Sequence, residues 1–144
     1  MERLAVHGGY PVRSSALYYG RQWIGEEDIR AVVDVLHSDF ITCGPKVDEL
    51  ECTLEEYTGA RYAVAVCNGT AALHCACMAA GVGPGDEVIT TPITFAASAN
   101  CALYCGATPV FADIDPETYN IDPESIRTRI TEKTKAVVAV DFTG

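Results

Sequence analysis

Apolar residues at Ile29, Val32, Val33 and Leu36 recur at spacings of three and four, the period of a helix with one apolar face. Glu26, Glu27 and Asp28 come just before them, where negative charge meets the positive end of a helix dipole. The pattern predicts a helix over 26–37. A second helix is predicted from Pro45, a residue suited to the first helical position. It carries Val47, Leu50, Leu54 and Tyr57 on one face and stops at Gly59. Up to about Gln22 the chain shows turn signals at Gly8-Gly9 and Pro11 and no regular period.

Beyond residue 60 the texture changes. Short apolar runs at Tyr62–Cys67, Glu87–Thr91, Thr108–Asp113 and Ala136–Val140 predict strands. Helices are predicted between them: Ala71–Ala80 closed by Gly81, Phe95–Cys105 closed by Gly106, and one led by Asp122 as N-cap and Pro123 as first residue. In the last, Ile126 and Ile130 face inward. Continuously apolar strands separated by helices indicate an α/β fold, a mainly parallel sheet with helices on both faces and right-handed crossovers. The chain then divides into an N-terminal segment with two helices (1–60) and the first part of an α/β domain (61–144).

Composition narrows the partners. The formal net charge is −10, which argues against a nucleic-acid backbone or an anionic membrane surface as the main partner. It leaves a local anion site possible, because backbone amides bind phosphate whatever the global charge. Seven cysteines is an odd number and no C-x-x-C pair occurs, so neither a fully paired disulfide framework nor a zinc site is expected. The N-terminus lacks a signal-peptide core and no run approaches a membrane span, so a reducing cytoplasm is the expected location.

Two junctions carry candidate chemistry. Val66-Cys67-Asn68-Gly69-Thr70-Ala71-Ala72-Leu73 places a tight turn between an apolar run and a helix start, where free N–H groups and the helix dipole favour an anion. Gly69 allows positive φ or close approach of a ligand, and Thr70 offers a hydroxyl. Thr70 is also a good helix N-cap, and on spacing alone that commoner role is the favoured one. Thr91–Asn100 follows the next strand and so lies at the same carboxyl edge. Phe95 at its centre can project over a cleft, but from the residues alone packing in the core is the favoured expectation. Neither G-x-G-x-x-G nor G-x-x-x-x-G-K-[ST] is present, which disfavours both nucleotide-binding loops.

The order of motifs adds a resemblance. Gly8-Gly9-Tyr10-Pro11-Val12-Arg13, Tyr19-Gly20-Arg21-Gln22, Ser38–Pro45, Asn68–Leu73, Gly83–Ile89, Thr94-Phe95 and Gly106–Phe111 follow one another as in the DegT/DnrJ/EryC1/StrS family of sugar-nucleotide aminotransferases. The resemblance covers nearly the whole chain. It implies the N-terminal part of a type I aminotransferase fold, incomplete here, normally a homodimer that uses pyridoxal 5′-phosphate. Such an enzyme takes an amino group from glutamate and gives it to a keto-sugar nucleotide, with the cofactor as electron sink.

Carried over residue by residue, Thr70 with the Gly69 and Ala71 backbone matches the family's phosphate-binding turn. Phe95 matches the aromatic residue stacked on the pyridine ring. Tyr19 and Thr42 match positions near the sugar-nucleotide pocket. Thr91–Asn100 and Ala139–Gly144 look most like the members that aminate a UDP-linked 4-keto-6-deoxy amino sugar on the way to pseudaminic acid. The resemblance assigns no catalytic residue within this chain. The family's cofactor-pairing aspartate and Schiff-base lysine lie beyond the segment resembling Val138–Gly144, and Lys46, Lys133 and Lys135 do not take that lysine's place. The expectation is a polypeptide inactive by itself, with Tyr62–Cys67 lacking its neighbouring strand. Relatives with histidine in place of the lysine are sugar dehydratases, so that alternative, like a non-catalytic fragment, stays open at this point.

Overall fold

A computed structural model describes residues 3–18 and 20–142. The chain forms two compact units, Met1–Thr58 and Gly59–Gly144. In the first unit a short 3-10 turn, Ala5–His7, precedes helices α1 (Glu26–Leu36) and α2 (Pro45–Thr58). The α1 start is fixed by Asp28, whose carboxylate accepts from the Gly25 N–H at 2.8 Å. Val32 and Leu36 on its apolar face remain more than half exposed.

The second unit contains α3 (Gly69–Ala79), β1 (Glu87–Thr90), α4 (Ala97–Tyr104), β2 (Thr108–Phe111), α5 (Pro123–Arg129) and β3 (Thr134–Val137). Both strand pairings of the sheet are parallel and the strand order is β2-β1-β3. From β1 the chain moves to one side to make β2, then crosses to the other side to make β3. Helix α4 packs against β1 and β2. The reversal creates a topological switch point at the carboxyl ends of β1 and β3, where open α/β sheets hold ligands.

The boundaries depart from the sequence pattern for local reasons. Tyr62–Cys67 is apolar enough for a strand, yet it is not a strand of this sheet, where β2 and β3 occupy both sides of β1. The last strand starts two residues before the apolar run and ends at Val137, opposite Ile89 of β1. One further bond, Val138 N–H to Ile89 O at 2.8 Å, marks its limit. Asp122 caps α5 as its residue type suggests, accepting from Glu124 and Ser125 N–H. At the end of α4, Gly106 adopts φ +75°, and a Cβ there would come within 3.2 Å of Pro84, so this turn suits glycine on both counts.

The core lies between sheet and helices. Val88, Ile89, Cys101, Ala102 and Ala112 are buried, with Cys77, Cys101 and the half-buried Cys105 packed in one cluster. Burial, then the hydrogen bond and proximity of Cys101, push the Cys77 thiol up to about 11 from 9.0. Below about pH 9 the thiol is protonated whether folded or unfolded, so its contribution to stability is complete. As pH rises towards 11, the unfolded chain ionises first and stability falls, by on the order of 2 kcal/mol. Chemical denaturation across that range should show the decline, and Cys77→Ala should flatten it; an equal slope in the variant would assign the decline to other groups.

Candidate functional site at the carboxyl edge of the sheet

Helix α3 leads through Gly81 and the Gly83–Asp86 turn into the start of β1, so it runs antiparallel to that strand. Helix α4 leaves the end of β1, returns towards β2, and packs against α3. Both helices therefore begin at the carboxyl edge of the sheet, the edge that carries the switch point. This placement brings Gly69, Thr70 and Ala71 to the same edge as Phe95.

The cap of α3 is Asn68. Its Oδ1 accepts from the Ala71 N–H at 2.9 Å, and its carbonyl accepts from Ala72 N–H at 3.1 Å. Capping, the alternative role weighed for Thr70, thus falls to its neighbour. Asn is at least as good an N-cap as Thr, and this preference was the signal available in the sequence. Thr70 lies at the second helical position, half-buried. Among the described residues, its hydroxyl and the N–H groups of Gly69 and Thr70 have no hydrogen-bond partner. The Ala71 N–H, by contrast, is engaged by the cap. Gly69 does not need a left-handed conformation, and a Cβ built on it meets nothing within 4 Å, so the turn opens onto free space.

Phe95 does not pack in the core: it is 77% exposed. Helix α4 starts two residues later, and the Phe95 carbonyl accepts from Ser98 N–H at 3.0 Å. The loop that carries it is anchored from beneath. Thr91 is buried and its Oγ1 accepts from Ile93 N–H, while Thr94 Oγ1 and Ser98 Oγ lie 2.8 Å apart. Thr90 Oγ1 donates to Val138 O at 3.0 Å, which ties the ends of β1 and β3 together. A rigid floor thus holds an exposed aromatic ring at the same edge as unpaired amide donors.

Thr42 is exposed in the α1–α2 connection of the first unit. A cleft of about 210 Å³ there is lined by Val35, Phe40, Ile41, Cys43 and Pro45. Tyr19 lies outside the described residues. Lys133 and Lys135 stand at the opposite, amino edge of the sheet, where the Lys133 carbonyl accepts from Glu87 N–H and the Lys135 side chain reaches Gly81. Among the described residues no cluster of His, Cys, Asp or Glu is arranged to hold a metal ion, and no helix is long and apolar enough to cross a membrane.

The profile of the DegT/DnrJ/EryC1/StrS aminotransferase family matches residues 22–144. The spore coat polysaccharide biosynthesis protein SpsC of Bacillus subtilis is 49% identical over 132 residues, covering 92% of this chain and 34% of SpsC. The crystallised aminotransferase from Psychrobacter cryohalolentis superposes with a TM-score of 0.79 at 42% identity, covering 85% of this chain and 31% of that one. NtdA from Bacillus subtilis, solved with its cofactor PMP bound, superposes with a TM-score of 0.76 at 33% identity, covering 83% and 28% respectively. The chain spans about a third of the length of the curated relatives it matches.

Proposed function

The chain belongs to the DegT/DnrJ/EryC1/StrS aminotransferase family, and from that premise we propose that it serves the transamination of a nucleotide-linked keto-sugar with pyridoxal 5′-phosphate. The observation that carries this reading is the start of α3, where Asn68 takes the capping role and leaves Thr70 with a free hydroxyl beside two unengaged amides. A phosphate dianion fits that donor set: N–H groups of Gly69 and Thr70 aligned with the helix dipole, plus one hydroxyl. Ala71 completes the turn, its N–H held by the cap. Phe95 supplies an exposed face on which an aromatic ring can stack.

When bound, the cofactor supplies the electron sink for amino transfer. This chain's residues bind and orient. The α3 start holds the phosphate end, and the Phe95 ring shields one face from water. Thr42 and Tyr19 are assigned to the sugar-nucleotide side. Lys133 and Lys135 stand at the wrong edge to meet the cofactor's aldehyde carbon. The amino donor we assign is glutamate. The acceptor is a UDP-linked 4-keto-6-deoxy amino sugar of pseudaminic acid biosynthesis, on the strength of the Thr91–Asn100 and Ala139–Gly144 stretches. The active assembly we assign is a homodimer. The test uses the chain extended to its relatives' length and loaded with pyridoxal phosphate. Glutamate should change the cofactor absorbance, and the keto-sugar nucleotide should restore it. A spectrum indifferent to glutamate would overturn the assignment.

A further inference from the structure

The turn after β2 makes contacts that the phosphate site does not use. Asp115 organises it. Its carboxylate accepts from Glu117 N–H, Thr118 N–H and Thr118 Oγ1, and its own N–H and carbonyl engage Asn120 O and Tyr119 N–H. The backbone bonds from Thr118 and then Glu117 hold this carboxyl below the usual carboxylate range. An antiparallel bridge between Ile114 and Ile121 closes the base of the turn. Tyr119 sits at φ 60°, a left-handed conformation costly for an aromatic residue, which the surrounding bonds sustain.

What this turn reaches is the chain leaving β3. Asn120 Oδ1 accepts from Phe142 N–H at 2.9 Å, and the Tyr119 and Phe142 rings lie 5.9 Å apart. Asn120 lies in the connection that follows β2 and Phe142 in the chain that follows β3, so the contact joins the two segments that leave the sheet on either side of β1. The turn is a strap between them. The strapped segment leaves β3 at the carboxyl edge, the edge that also carries the Phe95 loop, and its Asp141 is exposed. A carboxylate in that place can accept hydrogen bonds from sugar hydroxyls.

We propose that Asn120 is a positioning residue for the sugar side of the site: it fixes the chain leaving β3 so that Asp141 is held at the same carboxyl edge as Phe95. The inference rests on the proposed function, and two readouts separate their failures. In the 144-residue chain, Asn120→Leu should speed amide exchange at Phe142 roughly tenfold, whereas Asn120→Asp, which keeps the acceptor, should not. In the chain extended to its relatives' length, Asn120→Leu should raise KM for the keto-sugar nucleotide about tenfold. The glutamate half-reaction and cofactor absorbance should stay unchanged, Asn120→Asp should restore KM, and Asp141→Asn should reproduce the defect. Unchanged exchange at Phe142, an unaltered KM, or equal damage to both half-reactions would overturn the inference. Absence of any glutamate response in the unsubstituted protein would overturn the parent reading, and this one with it.

Discussion

Thr70→Val, in the chain extended to its relatives' length, is expected to weaken pyridoxal phosphate binding roughly ten- to a hundredfold while leaving the fold intact. The size follows from the chemistry. A hydrogen bond to a charged group contributes about 1.5–3 kcal/mol, and each 1.4 kcal/mol is about a factor of ten in affinity. The substitution is close to isosteric, and Val retains the β-branch already present in the first turn of α3. The helix keeps its cap, because that role belongs to Asn68. Cofactor titration followed by absorbance measures the affinity, and thermal unfolding of the apo variant checks the fold. Phe95→Ala should weaken binding less, by roughly three- to tenfold, since an exposed stacking ring contributes about 0.5–1.5 kcal/mol beyond its area. If Thr70→Val binds the cofactor as tightly as the unsubstituted chain, the phosphate is held elsewhere.

Much of this arrangement was legible in the sequence, for identifiable reasons. Helix periodicity and terminal residues located α1, α2 and α5, because apolar spacing and the Pro45, Asp122 and Pro123 signals act within one turn. The order of apolar runs and helices exposed the parallel sheet, since a strand buried on both faces has little room for polar residues. What remained hidden depends on neighbours distant in sequence. An apolar run such as Tyr62–Cys67 says that burial is favourable but not which strand will pair with it. The apolar run 136–140 does not show that pairing with β1 begins at Thr134 and stops at Val137. The exposure of Phe95 reflects a floor made by Thr91, Thr94 and Ser98, and no property of Phe95 reveals that floor. The strap was beyond reach for the same reason: Asn120 and Phe142 are 22 positions apart, in the segments that follow β2 and β3. Choosing Asn68 over Thr70 as the α3 cap needed only local preference, and that signal was available.

Ile89→Ala should cost the second unit about 2–5 kcal/mol, the range for emptying a well-packed aliphatic site. Ile89 is 0% exposed on the central strand, paired with Val110 of β2 and Val137 of β3, so it packs where the sheet can least collapse around a void. Set against a total of about 5–15 kcal/mol for a typical domain, the loss should move the denaturation midpoint far with little change in slope. Ile130→Ala, at a residue 56% exposed, serves as the control and should cost under about 1 kcal/mol. The effect should also reach the site. Ile89 O accepts the Val138 N–H bond, and the next residue, Thr90, ties the ends of β1 and β3 from its side chain. Loosening that floor lets the Phe95 loop and the strapped segment drift apart, so amide exchange at Ile93 and Val138 should accelerate before global unfolding. If Ile89→Ala costs no more than Ile130→Ala, the three-stranded sheet does not carry the stability of this unit, and the rigid floor proposed beneath the cofactor is lost with it.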